Sequence, residues 1–430
     1  MSLGESLSEL QAVLDEAAGA GWCEHPVRLA GRLVHHASGE IERGLLVTSC
    51  KDRRAVRCPA CSRRYKADAW HLVAAGIVGG KGVPERVAGH PMLFATLTAP
   101  SFGRVHSRPH DPVRRAHCTG PSERRCRHGR PRSCGVAHAP GDPLFGAPLC
   151  PDCYDTEGAV LFNAHVPLLW NRTSVAIVRE LAREAGTSER RLRQLARLSY
   201  LKVAEFQRRG SVHLHVLLRL DVPDGPSGEP PAGLSGDVLE RAVRAAVARV
   251  QVTLPAHGGH GHGDGRRPAR GIGWGRELEV DALFADGTSP EAVASYVAKY
   301  TTKDVDDDGL LARPIRSLRQ LEALGLPGHL EALARAAWHL GDDPDLAELR
   351  LRARAHRLGY PGHVQSKSRA YSTTLTALRG ARRDWARSRS PLPEGFDGAW
   401  RYVGRGYVHA GAARLAETLA RDLDASSTAS

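Results

Sequence analysis

Two histidines and a glutamate lie close together in the apolar stretch EFQRRGSVHLHVLLRLD, residues 205–221. Because side chains alternate between the two faces of a strand, His213 and His215 share one face and the intervening apolar residues share the other. A three-residue loop at 208–210, with glycine in the left-handed conformation, would place Glu205 opposite His213. Two imidazoles and a carboxylate with open positions suit Mn²⁺ or Mg²⁺ that polarises a phosphate oxygen. An isolated His-x-His pair also fits a solvated sheet face, but the paired glutamate favours a metal site.

A second group of reactive side chains lies in SPEAVASYVAKYTTK, residues 289–303. Tyr296 and Tyr300 are four residues apart, and each is followed three residues later by a lysine, Lys299 and Lys303. On a helix this spacing puts both phenols on one face. A phenol is a weak nucleophile at neutral pH and needs a metal-polarised electrophile and nearby cations. Attack by a tyrosine on a DNA phosphodiester would leave a phosphotyrosine and a free 3′ hydroxyl. The alternative interpretation is that both tyrosines have no chemical role and pack against a sheet.

Eight of the nine cysteines can be grouped into two zinc sites of four thiolates each. The first candidate set is Cys23, Cys50, Cys58 and Cys61. The second candidate set is Cys126, Cys134, Cys150 and Cys153. Competing ligands are His25 and His71 for the first set, and Cys118, His128 and His138 for the second. We expect two structural zinc ions rather than disulfides, because the chain reads as a protein of a reducing compartment.

The elements that must position these residues are a mixture of strands and helices. We predict strands at 92–98, 200–207, 211–221 and 276–284, and helices over 66–78 and 237–254. The tyrosine segment is predicted to be a helix with Ser289 as its N-cap. Residues 23–66 read as a turn-rich, metal-stabilised module, and residues 305–425 read as mainly helical.

The composition indicates an acidic partner. The chain has 430 residues, a net charge of +13 and a pI near 9.6, which favours nucleic acid over a membrane. No apolar run approaches the ~20 residues of a spanning helix, and the N-terminus lacks a secretory signal pattern, so we expect a cytoplasmic protein. No Walker phosphate loop is recognisable, so a helicase would have to come from the host.

Several of these segments together resemble the HUH superfamily of single-strand DNA endonucleases, and more closely the two-tyrosine rolling-circle replication initiators of actinomycete plasmids and integrative elements. The main matches are FATLTAPSFG, EFQRRGSVHLHVLL and YVAKYTTK. CPDCYD, AVLFNAHVPLLW and GHVQSKSRAYSTTLTALRGAR also resemble this group, so the similarity covers most of residues 23–385.

The resemblance implies a ferredoxin-like α+β catalytic core with an antiparallel sheet, and nicking of one strand at a replication origin followed by strand transfer. It implies that His213 and His215 bind the divalent ion, with Glu205 or, alternatively, Gln207 as the third ligand. Tyr296 or Tyr300 would be the nucleophile, with Tyr296 favoured as the first attacker. Origin DNA, single-stranded at the nick, and the host helicase and polymerase would be the partners.

We therefore expect three consecutive regions. These are a zinc-binding region at 1–90, an HUH core at 91–304 with a cysteine-rich insert at about 104–158, and a helical, arginine-rich region at 305–430. The alternatives are an HUH transposase or conjugative relaxase, which would share the chemistry, and a zinc-stabilised DNA-binding regulator without nuclease activity.

Overall fold

The fold combines antiparallel sheets with helices, and this confirms the predicted α+β class. The computed structural model describes residues 3–36, 38–55, 57–106, 125–134, 136, 138–139, 142–258, 267–283, 289–302, 314–389 and 396–428. The helices are α1 (Leu3–Gly19), α2 (Pro59–Val78), α3 (Thr156–Glu184), α4 (Glu189–Leu195), α5 (Gly236–Arg249), α6 (Pro290–Thr302), α7 (Leu318–Glu322), α8 (Gly328–Leu340), α9 (Leu375–Arg389) and α10 (Ala410–Thr428). The strands are β1 (Val27–His35), β2 (Ile41–Thr48), β3 (Met92–Leu97), β4 (Arg197–Phe206), β5 (Val212–Asp221), β6 (Gln251–Leu254), β7 (Arg270–Gly273), β8 (Leu278–Ala282), β9 (Gln365–Lys367) and β10 (Phe396–Arg405).

The chain divides into two compact units, each built from separated segments. Unit 1 contains residues 1–75, 294–303 and 372–430, and unit 2 contains residues 76–293 and 304–371. The expected regions at 1–90, 91–304 and 305–430 are consecutive, whereas both ends of the chain belong to unit 1. Long-range strand pairing produces this arrangement, and local sequence patterns do not reveal such pairing.

The main sheet of unit 2 has five strands in the order β8-β3-β5-β4-β9, all antiparallel to their neighbours. On β5 the alternate residues Val212, Leu214, Val216 and Leu218 are buried in the hydrophobic core, as the alternation predicts. Helices α3, α5 and α8 supply much of the rest of that core. Each aliphatic side chain buried in this way stabilises the fold by about 1.5–3 kcal/mol. One face of β5 is therefore fixed in the core, and the histidines lie on the other.

Unit 1 is organised around a three-stranded antiparallel sheet in the order β10-β1-β2. The first and last helices also meet in this unit, where the Glu16 carboxylate on α1 accepts hydrogen bonds from the backbone N–H groups of Val408 and His409. The ring of Trp400 on β10 lies over Gly31 of β1, where a Cβ atom would come within 2.4 Å of it. Glycine is therefore required at this crossing.

Several elements differ from the sequence predictions. The turn-rich reading of 23–66 was wrong, because β1, β2 and the first turns of α2 lie there. The helix expected to reach residue 254 ends at Arg249, since the alternating segment QVTL forms β6 and pairs with β7. The region after 305 also contains strands β9 and β10. Among the described residues, no helix is long and apolar enough to cross a membrane.

Candidate active site and metal centres

Glu205, His213 and His215, together called the hairpin site, converge on the face of the main sheet opposite the aliphatic core residues of β5. Residues 208–210 connect β4 to β5, and Glu205 lies opposite His213 in the register, as the loop length predicts. Glu205 Oε2 lies 2.6 Å from His213 Nε2 and 3.1 Å from His215 Nε2. The three ligand atoms are close enough to share one ion. Two imidazole nitrogens and a carboxylate oxygen fit a divalent ion with open coordination positions.

The environment of His215 keeps it in the form that a metal needs. Burial lowers the pKa of His215 below its usual value, and the hydrogen bond with Glu205 only partly opposes this effect. Its Nδ1 lies 3.3 Å from Thr96 Oγ1 on β3, and the ring of Phe94 stacks on it at 5.8 Å. With an ion bound between Nε2 and Glu205, Nδ1–H would donate to Thr96, and neutral imidazole in this tautomer is the ligating form.

The loop of the hairpin is held by buried polar contacts. Asn163 on α3 is fully buried, and its Nδ2 donates to the carbonyl oxygens of Gly210 at 2.9 Å and Leu358 at 3.0 Å. Its Oδ1 accepts from the backbone N–H of Val212 at 2.9 Å. Gly210 has a φ of +76°, and a Cβ there would come within 2.3 Å of Leu333. Helices α3 and α8 thus fix the turn that sets the position of His213.

The side chain of Gln207, the alternative third ligand, contacts Arg209 in the hairpin loop. Its backbone N–H donates to Ser211 at 2.9 Å, and its side-chain oxygen accepts from Arg209 Nε at 2.8 Å. The same guanidinium donates to the carbonyl oxygens of Ala99 at 2.9 Å and Pro100 at 3.2 Å. Gln207 and Arg209 therefore tie the loop to the segment that follows β3.

Sequence reasoning did not assign roles to Asn163, Thr96 or Phe94. Asn163 could have been found, because it is an amide within the apolar stretch AVLFNAHVPLLW, and a buried amide needs hydrogen-bond partners. Thr96 and Phe94 lie two residues apart on β3, and only the pairing of β3 with β5 brings them to His215. The match of FATLTAPSFG marked their segment, but it did not connect either residue to His215.

Helix α6 carries both candidate nucleophiles. Ser289 caps it, with its Oγ accepting from the backbone N–H of Ala292 at 3.2 Å, as expected for an N-cap. Tyr296 is 48% exposed. Tyr300 lies one turn later in the same helix and Lys299 lies between them. Lys303 lies outside the described residues.

The four-cysteine site of unit 1 consists of Cys23, Cys50, Cys58 and Cys61. The Sγ atoms of Cys23 and Cys58 are 3.7 Å apart, as are those of Cys50 and Cys61. Cys58 precedes α2 and Cys61 lies in its first turn, where the helix dipole favours thiolates. The pKa values of Cys50 and Cys58 are both lowered, and the hydrogen bond with the Cys23 thiol is the largest cause for each. The pKa of Cys50 falls to about 7.

The cysteine-rich insert of unit 2 gathers different ligands from those expected. Its first cluster, called the insert site, consists of Cys126, His128, Cys150 and Cys153. The His128 Nδ1 atom lies 3.3 Å from Cys153 Sγ and 3.5 Å from Cys150 Sγ. Cys134 does not join this cluster, because it lies beside His138, with its Sγ 3.4 Å from Nε2. Cys118 lies outside the described residues.

His25 and His71, the competing ligands for the four-cysteine site, do not join it. The ring of His71 packs edge to face against Trp70 at 5.2 Å.

The clusters of unit 1 and of the insert could hold metal ions such as zinc, since three or four thiolate and imidazole donors converge in each.

Comparison with known proteins gives two matches. The family model described as "RepSA: Replication initiator protein, pSAM2" matches residues 9–421. A protein of Streptomyces ambofaciens described as "Replication initiator protein" is 42% identical over 422 residues, which covers 94% of this chain and 86% of the relative. No solved structure matches the chain.

Proposed function

The chain belongs to the RepSA family of replication initiator proteins, and on this premise we propose that it nicks one strand of origin DNA by metal-assisted tyrosine attack. The observation that supports the proposal most directly is the hairpin site. Glu205, His213 and His215 present three ligand atoms from two adjacent strands, and the buried loop contacts hold those strands in register. Rigid elements of this kind suit a site that must position a reacting group.

The proposed reaction is a transesterification. The oxygen of Tyr296 attacks the phosphorus of the scissile phosphodiester and forms a tyrosine–phosphate bond, while the phenol loses its proton. The bond to the 3′ oxygen breaks, and that oxygen leaves as a hydroxyl after taking up a proton. A divalent ion bound by the hairpin site would polarise the phosphate. The protein would remain attached to the 5′ end, so that the phosphodiester bond energy is retained.

The second tyrosine would serve to end a replication round. Tyr300 could attack the regenerated origin while the first phosphotyrosine is released onto the new 3′ hydroxyl, and this second transfer rejoins the strands. Lys299 would add positive charge near the phosphate. The histidines and Glu205 would hold the ion through both transfers.

The remaining parts of the proposal concern partners and structural ions. The net charge of +13 suits binding to origin DNA, which would be single-stranded at the nick. The host would supply helicase and polymerase. Zinc would occupy the cysteine clusters and would stabilise the fold without taking part in cleavage. The same chemistry in a transposase or relaxase would act on a different DNA sequence.

The test is incubation of the protein with supercoiled DNA that carries the cognate origin, in the presence of Mn²⁺. We expect relaxed circles and protein trapped covalently on a 5′ end. The variants are Tyr296→Phe, Tyr300→Phe and the double substitution, and His213→Ala serves as the metal-site variant. Tyr407→Phe is the matched control, because it removes a phenol that lies among the residues of the four-cysteine site.

The double tyrosine variant should bind the origin and yield no covalent product. Full nicking by this variant would overturn the proposed nucleophiles. Origin binding by the wild-type protein, with no relaxation under Mg²⁺ or Mn²⁺, would support the DNA-binding regulator instead.

A further inference from the structure

His106, Cys134 and His138 form a cluster in the insert that the proposed function does not use. The His138 Nε2 atom lies 3.0 Å from His106 Nδ1 and 3.4 Å from Cys134 Sγ. All three ligand atoms lie within 4.8 Å of one another, and His138 is only 4% exposed. We propose that this cluster, called the third site, binds a zinc ion of its own, separate from the ion of the insert site.

The backbone around the cluster is built to bring the ligands together. The N–H of His106 donates to Ala147 at 2.8 Å, and the N–H of Gly146 donates to the carbonyl of His106 at 2.8 Å. Arg104 donates through Nη1 to the carbonyl oxygen of Arg132 at 3.1 Å, which holds the segment of Cys134 near that of His106. Three separate stretches of chain thus meet at one point.

The tautomer of His138 follows from its contact with a carboxylate. Asp142 Oδ2 lies 2.7 Å from His138 Nδ1, so Nδ1–H donates to Asp142, and Nε2 is the nitrogen that the neutral ring would offer to a metal ion. The backbone N–H of Leu144 donates to the other oxygen of Asp142 at 2.9 Å, which fixes the carboxylate. A carboxylate that orients a histidine through its outer nitrogen is the usual supporting contact of a metal ligand.

The geometry favours a metal ion over hydrogen bonds alone. His106 Nδ1 and Cys134 Sγ both lie close to Nε2, and the Cys134 thiol also lies 3.5 Å from the carbonyl oxygen of Val136. An ion would bind the two nitrogens and the sulfur at once. Zinc accepts imidazole and thiolate ligands, with nitrogen at about 2.0–2.1 Å and sulfur at about 2.3 Å, and a water molecule would fill its fourth position.

The third site would also position the hairpin loop. Gly146, which hydrogen-bonds to His106, has a φ of +89°, and a Cβ there would come within 2.6 Å of the Arg208 backbone. The turn from Asp142 to Gly146 therefore packs directly against the loop between β4 and β5. An ion that fixes this turn would fix one side of the loop that precedes β5 and His213.

The experiment counts zinc per full-length chain by mass spectrometry after dialysis. The starting protein carries His213→Ala and His215→Ala, so that the hairpin site cannot contribute metal. We expect three zinc ions in this protein, and two after adding either His138→Ala or Cys134→Ser. The control Val136→Ala changes an exposed residue between the two ligands and should leave three.

A further pair of variants distinguishes two separate ions from one shared ion. Cys126→Ser should remove one zinc from the insert site, and Cys126→Ser combined with Cys134→Ser should remove two. Two ions in the starting protein, or a double variant that loses only one, would overturn the proposal. If a variant is insoluble, Asp142→Asn can replace it, and we expect its zinc at this site to be lost to a chelator faster than in the starting protein.

A structural readout tests the positioning role. Loss of the third ion should increase amide hydrogen exchange at His106, Gly146 and Ala147, and the Val136→Ala control should show no change. Unchanged exchange in a variant that has lost one zinc would refute positioning of the turn. None of these measurements depends on nicking, so failure here and failure of the proposed function are distinguishable.

Discussion

The four-cysteine site of unit 1 and the hairpin site of unit 2 both gather metal ligands, but they differ in donors and in construction. The first offers four thiolates from sequence-separated segments, three of them fully or nearly fully buried. The second offers two imidazoles and a carboxylate from two adjacent strands. Four thiolates complete a tetrahedron and leave no position for a substrate, whereas three mixed ligands leave positions open. The difference fits the proposal that an ion in the first site would hold the fold together and an ion in the second would take part in cleavage.

Loss of a thiolate should have the largest effect, because three of the four cysteines are themselves part of a buried cluster in unit 1. We expect Cys58→Ser to unfold residues 1–75, since structural zinc contributes on the order of 10 kcal/mol to small zinc-binding domains. Zinc content and limited proteolysis would measure the loss. Ser62→Ala, in α2, is the control, and a folded, zinc-free Cys58→Ser protein would contradict the structural role.

Loss of the Asn163 side chain, which holds the hairpin loop, should have the second largest effect. Asn163→Ala leaves the carbonyl oxygens of Gly210 and Leu358 and the N–H of Val212 without this partner. At about 1–3 kcal/mol for each buried group left unsatisfied, we expect the free energy of unfolding to fall by about 3 kcal/mol or more. Chemical denaturation would measure it. Asn171→Ala, at an exposed position of the same helix, should change it by less than about 0.5 kcal/mol.

Loss of a ligand of the hairpin site should show most clearly how this site differs from the four-cysteine site. We expect His213→Ala to lower the nicking rate more than about 100-fold, because removing a ligand should cost more than removing a supporting contact. The free energy of unfolding should change by no more than about 1 kcal/mol, since no structural ion is lost. Parallel nicking assays and denaturation curves would check this. If His213→Ala unfolded the protein as much as Cys58→Ser, the proposed difference between the two sites would be wrong.

The smallest effect is expected at the contact that orients His215. Thr96→Val removes the acceptor for Nδ1–H, and loss of such a supporting contact costs about 10–100-fold in metal affinity or activity. We expect the concentration of Mn²⁺ needed for half-maximal nicking to rise, with activity restored at high Mn²⁺. Thr98→Val is the control, because Thr98 Oγ1 donates to the carbonyl of Glu277 at 2.8 Å instead. Equal shifts in both variants would argue against an orienting role for Thr96.

The sequence predicted the local parts of the fold well. The period-two alternation of β5, the glycine at position 210 and the Ser289 cap each depend on a few neighbouring residues, and the structure contains all three. The two-strand register followed from the loop length alone. These features need no knowledge of distant contacts.

What the sequence did not reveal depends on contacts between distant segments. Strand β10 pairs with β1, and neither has a signal strong enough to be recognised apart from its partner. Cys134 was expected with Cys126 because both precede the CPDC pair, but the fold turns the segment of Cys134 toward His106. Spacing restricts which ligands can meet only when they are a few residues apart. Sets drawn from distant segments are decided by tertiary structure.

The closing of unit 1 by both ends of the chain has a consequence for synthesis. The contact between Glu16 and His409 joins residues 393 positions apart, and β1 obtains its partner β10 only after residue 405 has left the ribosome. Unit 2, by contrast, is complete once residue 371 has emerged. A message cut short between these two points would therefore yield a chain with an intact hairpin site, in which β1 lacks its partner strand.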